Sequence, residues 1–464
     1  MEEIHQFLPN SHPSITKQML LKVGAASADE LFKDIPRNLL LDRPLNLPQA
    51  KSELEIERQV EELLSKNRVH PEYLCFLGGG VWPHHVPAAV DEITSRTEFY
   101  SSYTQYQPEI SQGMLQALFE YQSLICELTG MDVANSSLYD WPNAAAEAAR
   151  MAVRVKARKR ILVSRSVGPE RLAVIRTYCQ PLGINVRTFD FDHKSGQSII
   201  SGLSDALRDD VAAIYIENPN FFGIVEEEVD RISELVHKAG AIYIVGADPL
   251  SLGVLKPPGE YGADIVVGEG QPLGIHMNFG GPLLGIFATK EDPQLLRQAP
   301  GRIIGMTTTK DSSKRGFCMV LQTREQHIRR EGASSNICTN QALCALAAAV
   351  YLALLGPAGL REIGERILYN SHYAATLLGE IKGLKSPYFS GSFFKDFVVG
   401  IQKERLSPEQ VHRGLYRRKI LGAIPLSRYY AELKDAALFS ATEVHQQADL
   451  ERLAHEMRQM VIGK

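Results

Sequence analysis

The chain has 464 residues, 44% of them hydrophobic, which is enough for one large core and a smaller second one. Its 50 Lys and Arg residues against 54 Asp and Glu leave a net charge of −4, so no electrostatic footprint points to nucleic acid. The stretch from Met1 to Asn10 has neither a basic start nor a continuous apolar run, which predicts no signal or transit peptide and a cytoplasmic chain. Cys75, Cys126, Cys179, Cys318, Cys338 and Cys344 form no CxxC pair, so a zinc knuckle or disulfide framework has no support and most read as small buried apolar residues.

In chain order, the segment before Arg96 carries helical pieces and several prolines (Pro36, Pro44, Pro48) and reads as an arm over 1–95 that packs on the main domain or on a partner subunit. From Ser111 to Leu128 apolar residues recur at helical spacing, and Gly130 ends the pattern. An alanine-rich helix follows Asn143 and closes on Lys156, Arg158, Lys159 and Arg160, as a helix dipole favours. Short β-branched runs then alternate with helices: Ile161 to Ser164, Asn185 to Phe191, Val211 to Ile216, Ala241 to Val245, Asp264 to Val267 and Leu284 to Ala288. That alternation predicts an α/β domain with a large, mostly parallel sheet over 96–345, whose ligands sit at the carboxyl ends of the strands. The apolar run Ala342 to Leu355 is too short for a comfortable membrane span and reads as a buried helix, capped by Asn340 and stopped by Gly356-Pro357. The remainder, 346–464, with a strand at Phe397 to Ile401 and a last helix from Gln447 to Met460, reads as a smaller C-terminal α+β domain.

Candidate chemistry concentrates in few places. Gly78-Gly-Gly80 reads as a turn needing unusual backbone angles rather than a dinucleotide fingerprint, because no helix with a downstream acid follows it in a βαβ unit. The run Phe99 to Gly113 holds three tyrosines and many hydrogen-bonding side chains, and suits either a polar pocket wall or a surface loop. Arg324 to Glu331 is either a solvated helix face or, with the polar turn Ser334 to Asn340, an anion-recognising corner. Asp248 follows a strand, at the ligand edge of such a sheet, or serves as a turn former before Pro249.

Several longer runs are specific: Phe76-Leu-Gly-Gly-Gly80, Tyr106-Gln-Pro-Glu-Ile-Ser-Gln-Gly113, Leu128-Thr-Gly-Met-Asp132, Pro219-Asn-Phe-Phe-Gly223, Gly262 to Gln271, Pro300-Gly-Arg-Ile303, Leu321 to Glu331, and Asn336 to Leu343. Through them the chain resembles the P-protein family of the glycine cleavage system over nearly its whole length, with the motifs of the alpha-type half. The resemblance implies a fold-type I pyridoxal-phosphate transferase-like architecture. It also implies a role in glycine decarboxylation, in which glycine loses CO2 and its aminomethyl group passes to the lipoyl arm of the H-protein. The partners implied are a beta-type P-protein subunit, two alpha with two beta, together with the H-, T- and L-proteins of the same system.

A pyridoxal-phosphate site needs a Schiff-base lysine, a carboxylate at the pyridine nitrogen and a phosphate cup. By resemblance the lysine place falls in Glu269-Gly-Gln-Pro-Leu273, where Pro272 stands, and Asp248 is retained at the pyridine-nitrogen place. The cup turn reads Trp141-Pro-Asn143 where relatives carry small residues; Trp adds bulk and Pro removes a donor. Trp82-Pro83, Gln105 and Gly332 are further departures from the family pattern. No cofactor is therefore expected on this chain and no catalytic residue on it alone; pyridoxal phosphate is expected on the partner subunit. The residues the resemblance assigns to the interface around the partner's active site are His84, Tyr103, Tyr106, Gln107, Glu109, Gln112, Arg324, His327, Arg329, Arg330, Asn336 and Thr339. The competing reading is a diverged, non-catalytic scaffold or regulatory homologue of that subunit.

Overall fold

In the computed structural model all residues are described except 1–3, 5–6, 70, 103–104, 338, 402–405 and 463–464. The chain divides into two compact units, Met1–Arg68 and Val69–Lys464. In the first, α1 (Pro13–Val23) starts on His12 and ends on Gly24 in the left-handed region, and α2 (Glu53–Leu64) starts on a reciprocal Ser52–Glu55 capping box. Neither helix buries a residue.

The second unit runs β1 (Leu74–Cys75), α3 (Ala88–Thr94), α4 (Thr97–Tyr100), α5 (Gln112–Thr129), β2 (Val133–Ala134), α6 (Trp141–Lys156), β3 (Arg160–Ser164), α7 (Pro169–Cys179), β4 (Asn185–Phe189), α8 (Ile200–Ala206), β5 (Val211–Glu217), α9 (Val229–Lys238), β6 (Ile242–Ala247), β7 (Ile265–Glu269) and β8 (Gly285–Thr289). The seven-stranded sheet has the order β2-β8-β7-β6-β5-β3-β4, parallel from β7 through β4, with β8 antiparallel to both its neighbours. Each strand expected from the sequence is present within one or two residues at its ends; the central ones are β-branched runs buried on both faces, whereas the edge strand β4 is largely exposed. Side chains divide by period two. Leu162, Ile214, Ile216, Tyr243, Val245 and Val266 pack with the α5 face, whereas Ile161, Val163, Ala213, Ile244, Ile265 and Val267 pack with α6.

After α10 (Pro293–Leu296), the hairpin of β9 (Ile303–Thr308) and β10 (Arg315–Val320) leads to α11 (Gln326–Arg329). The apolar run then forms α12 (Ala342–Gly379), the one helix among the described residues long and apolar enough to cross a membrane by length and composition. It is a core helix: Cys344 to Ala349, Tyr351 and Leu352 are buried, packed chiefly with α5 and α3. The apolar helix stops at Gly356, at φ 58°, as expected, and Pro357 opens a second helical stretch directly after it. Proline lacks only a first-turn N–H that a new helix leaves unsatisfied anyway, so the chain resumes and runs on to Gly379. Asn340 does not cap this helix; its amide donates to the Ser136 carbonyl at 2.7 Å, and Gln341 stands at the cap without a side-chain bond. α6 likewise begins at Trp141, two residues before Asn143, because Asp140 caps it.

The smaller lobe carries β11 (Leu384–Lys385), β12 (Asp396–Ile401), α13 (Pro408–Arg417), β13 (Ile420–Leu421), β14 (Ile424–Pro425), β15 (Ala436–Ser440) and α14 (Gln447–Val461). Its four-stranded antiparallel sheet β11-β12-β15-β14 has its own core, and β13 pairs with β1. The two lobes meet where Gly223 approaches Asp396; a Cβ there would lie 1.8 Å from the Asp396 carbonyl oxygen, and φ is +82°. Only glycine fits that crossing. Of the described cysteines, Cys179 and Cys344 are buried, while Cys75, Cys126 and Cys318 are half-buried; Cys338 lies outside the described residues.

Candidate functional site

The carboxyl ends of β3, β5, β6 and β7 face the smaller lobe, the edge where an open α/β sheet receives ligands. Asp248, one residue past β6, is buried there, and its carboxylate accepts from the Leu250 amide at 3.1 Å and from Lys395 Nζ at 2.7 Å. Lys395 precedes β12 and is 1% exposed. A buried lysine requires a partner for its charge. This one has three: Asp248, His84 Nε2 at 2.9 Å, and the face of Trp82 at 3.9 Å. The Trp82 indole N–H in turn donates to Asp396 at 3.0 Å, a carboxyl that burial pushes up to about 6.

Lysine can only donate, so His84 Nε2 accepts and its proton resides on Nδ1, facing Glu443 at 2.8 Å. Burial first, and the neighbouring Lys395 charge second, hold this imidazole below its ordinary value of 6.5. The unfolded chain therefore binds more protons than the folded one below that value, and the stability His84 contributes is complete above 6.5 and lost as pH falls. Glu443 acts with the same sign. Burial opposes the shift, but His84 and the His85 amide hold this carboxyl at about 2, so its contribution is lost between 4.5 and that value. Burial pushes the Asp396, Glu226 and Glu269 carboxyls up to about 6, 7 and 8, so these three gain stability as pH falls and oppose His84. Thermal scans at about pH 7 and about pH 5.5 should therefore isolate His84 by difference, with His84→Gln losing less, or gaining more, than the native chain on acidification.

The opposite wall is built on Trp141. Its ring lies 4.1 Å from the Arg171 guanidinium, and its indole N–H donates to Tyr215 Oη at 3.0 Å, which donates to Glu217 at 2.9 Å. Arg171 pairs with the same buried Glu217 and also donates to the Gly79 carbonyl at 3.2 Å. At the start of α6 every early donor is taken. The Trp141 amide donates to Glu269 at 3.2 Å, Pro142 has none, and the Asn143 amide donates to the Asp140 cap at 2.7 Å. Glu269 also accepts from the Gln271 and Leu284 amides at 3.0 and 2.9 Å. A carboxyl of the chain itself thus occupies the anion position that a helix N-terminus offers.

Between these walls the remaining cavity is about 20 Å³, lined by Trp82, Trp141, Arg171, Asp248 and Lys395. That is room for about one water, whereas small-molecule sites run from about 300 Å³. A phosphorylated pyridine ring does not fit. Its phosphate would meet satisfied amides and Glu269, and its ring would meet two tryptophans. The carboxylate that could pair with its nitrogen is already held by Lys395.

Of the residues expected at a partner-facing surface, the structure gathers some and withdraws others. Gln107, Glu109, His327, Arg329, Arg330, Asn336 and Thr339 are exposed, and Tyr106 lies half-buried under Arg302, 4.2 Å from its ring. Gln105 ties the two runs together by donating to Asn340 at 3.0 Å. Tyr103 lies outside the described residues. Gln112 spends its amide on the backbone of β10, donating to the Phe317 carbonyl and accepting from its N–H, both at 2.8 Å. His84 faces inward, its side chain 1% exposed, and serves the Lys395 cluster. Arg324 is also buried, donating to the Ala299 carbonyl. The solvated-helix reading of this run is corrected as well: Leu321 and Arg330 at φ 56° and 51° break it into single turns. Lys395, Glu443, Arg171 and Glu217 escaped the sequence reading. The signal for Lys395 was a charged pair, Lys395-Asp396, inside the apolar run Phe393 to Val399.

The two-lobed fold with its seven-stranded, mostly parallel sheet is that of the fold-type I pyridoxal-phosphate enzymes. A sphingosine-1-phosphate lyase from Burkholderia pseudomallei shares that fold at TM-score 0.66 over 91% of this chain and 92% of its own, with 14% identity. The family model for the glycine cleavage system P-protein matches residues 5–457. The chain is 47% identical to a probable glycine dehydrogenase (decarboxylating) subunit 1 of Staphylothermus marinus over 98% of both chains, and 47% identical to the protein of the same description in Pyrococcus abyssi over 98% and 99%. It also matches a crystal structure of glycine decarboxylase (P-protein) of the glycine cleavage system in inhibitor-bound form, at TM-score 0.87 and 41% identity over 98% of this chain and 100% of that one. The chain belongs to the glycine cleavage system P-protein family.

Proposed function

We propose that this chain is the non-cofactor-bearing subunit of a cytoplasmic glycine decarboxylase, the enzyme glycine dehydrogenase (aminomethyl-transferring), and acts only with a beta-type subunit that carries pyridoxal phosphate. The relatives are described as subunit 1, which implies a second subunit. The observation that carries the reading is the self-filled crevice. Lys395 answers Asp248, Glu269 answers the start of α6, and Trp82 and Trp141 take the space between. With its own pocket closed, what this chain offers a shared site is surface: the exposed polar run around Gln107 and Glu109, tied by Gln105 to the loop that ends at Asn340. Arg329 and Arg330 present cationic forks for carboxylates of substrate or partner, with the exposed His327 two residues before them. The lipoyl-bearing H-protein would receive the aminomethyl group at the completed site, in an assembly of two alpha and two beta chains.

The purified chain incubated with pyridoxal phosphate should show no aldimine band in the near-ultraviolet or visible, and none that borohydride fixes. Co-expression with a beta-type chain should give glycine-dependent CO2 exchange that the beta-type chain alone lacks. A strong reducible band on this chain would overturn its non-cofactor role. Binding to the beta-type chain without support of exchange would favour a scaffold or regulatory homologue instead.

A further inference from the structure

We propose a second, separate site on this chain: a groove that binds a small ligand made of a flat ring and a phosphate group. The groove, about 350 Å³, lies between the start of α7, β4 and the loop 426–430 of the smaller lobe. Its volume falls within the range of small-molecule sites. It shares no lining residue with the closed crevice. The inference therefore does not rest on the glycine decarboxylase reading.

Arg165, Arg176 and Arg428 line the groove, and no carboxylate does. Arg165 is tethered as a fixed wall, paired with Asp190 at 2.7 Å and with Glu432, its guanidinium 5.7 Å from the Phe191 ring. Arg176 and Arg428 are different. Both are exposed, and neither guanidinium makes a hydrogen bond or an ion pair among the described residues. Glu409, the acid whose field Arg428 feels, accepts from Ser427 at 2.6 Å and stays outside the groove. Two planar forks with open donors, held in one concavity, match a phosphate's several oxygens better than a single carboxylate's two.

The ring half of the ligand follows from the aromatic wall. Tyr430 donates its hydroxyl to the carbonyls of Arg165 and Val167, at 2.9 and 3.3 Å, and packs within the cluster of Phe191, Phe221 and Phe222. Tyr429 stands edge-on to Phe221 at 6.2 Å with 45% of its surface exposed. A ring resting on Tyr429, over the apolar side of Leu172, would bury apolar area on an aromatic face that Phe221 backs from one edge.

The full-length chain should be titrated calorimetrically with adenosine 5′-monophosphate and, separately, with inorganic phosphate at low salt. Saturable binding of the nucleotide, one per chain, is expected, with inorganic phosphate weaker. Arg176→Ala and Arg428→Ala should each weaken binding about tenfold, a charge-assisted contact at a partly exposed site. Tyr429→Ala should weaken the nucleotide more than inorganic phosphate. Both arginines are exposed, so unchanged melting midpoints are expected and would separate lost binding from misfolding. No saturable binding of either probe overturns the site, as does binding that neither arginine substitution touches. Equal affinity for both probes overturns the ring-stacking half.

Discussion

Replacing Lys395 by methionine should destabilise the Val69–Lys464 unit by about 3–5 kcal/mol, the cost of leaving one member of a buried pair without its counter-charge. Methionine keeps the length of the side chain and its contact with Trp82 but removes the ammonium, so the Asp248 carboxylate and His84 Nε2 both lose their donor. Asp248→Asn alone should also be costly, since it strands the ammonium. The double variant Asp248→Asn with Lys395→Met should recover most of the loss, because a neutral, similarly shaped pair carries no stranded charge. Shifts in thermal unfolding midpoint for the four proteins complete the cycle. If the two single losses simply add, the pair is not what holds the crevice closed.

The same crevice marks the limit of what the sequence made legible. The sheet was readable because Val211 to Glu217 and its neighbours are buried on both faces, and such runs have one stable solution. That Pro272 carries no amine and that Pro142 carries no backbone donor was also readable, because each depends on local chemistry alone. What fills the vacated space was not. Lys395 lies 147 residues beyond Asp248, and Glu443 lies 359 beyond His84, so neither pairing leaves any local pattern. His84 illustrates the cost of that blindness: the resemblance assigns it to a partner-facing surface, and only the fold turns its ring inward to Glu443. Arg324 was misplaced for the same reason, since alternating charge suggests solvent, while Leu321 in the left-handed region redirects that one side chain into the core. Arg329 and Arg330, five and six residues on, are left outside.

Those two arginines carry the largest effect expected on activity. Changing Arg329 and Arg330 together to alanine should lower glycine-dependent CO2 exchange of the assembled enzyme by about 30- to 5,000-fold, the range for truncating a charge that pairs across a desolvated contact at about 2–5 kcal/mol. The chain's own melting midpoint should move little, because exposed side chains without partners among the described residues contribute within about 0.5 kcal/mol. That contrast distinguishes a contact made to substrate or partner from a structural role. Measuring exchange at saturating beta-type chain then separates assembly from chemistry. Activity restored by excess partner places the arginines in the interface, and activity that stays low at full assembly places them beside the reacting groups. Undiminished exchange at every partner concentration would sink the claim that this corner completes a shared site. Arg330 adds a second handle, since its φ of 51° and ψ of −120° are strained for a non-glycine residue and fix how the pair is presented. Arg330→Gly should therefore lose the fork while easing the turn. Its deficit should match that of Arg330→Ala, showing that the charge, rather than the backbone, is what the assembled enzyme uses.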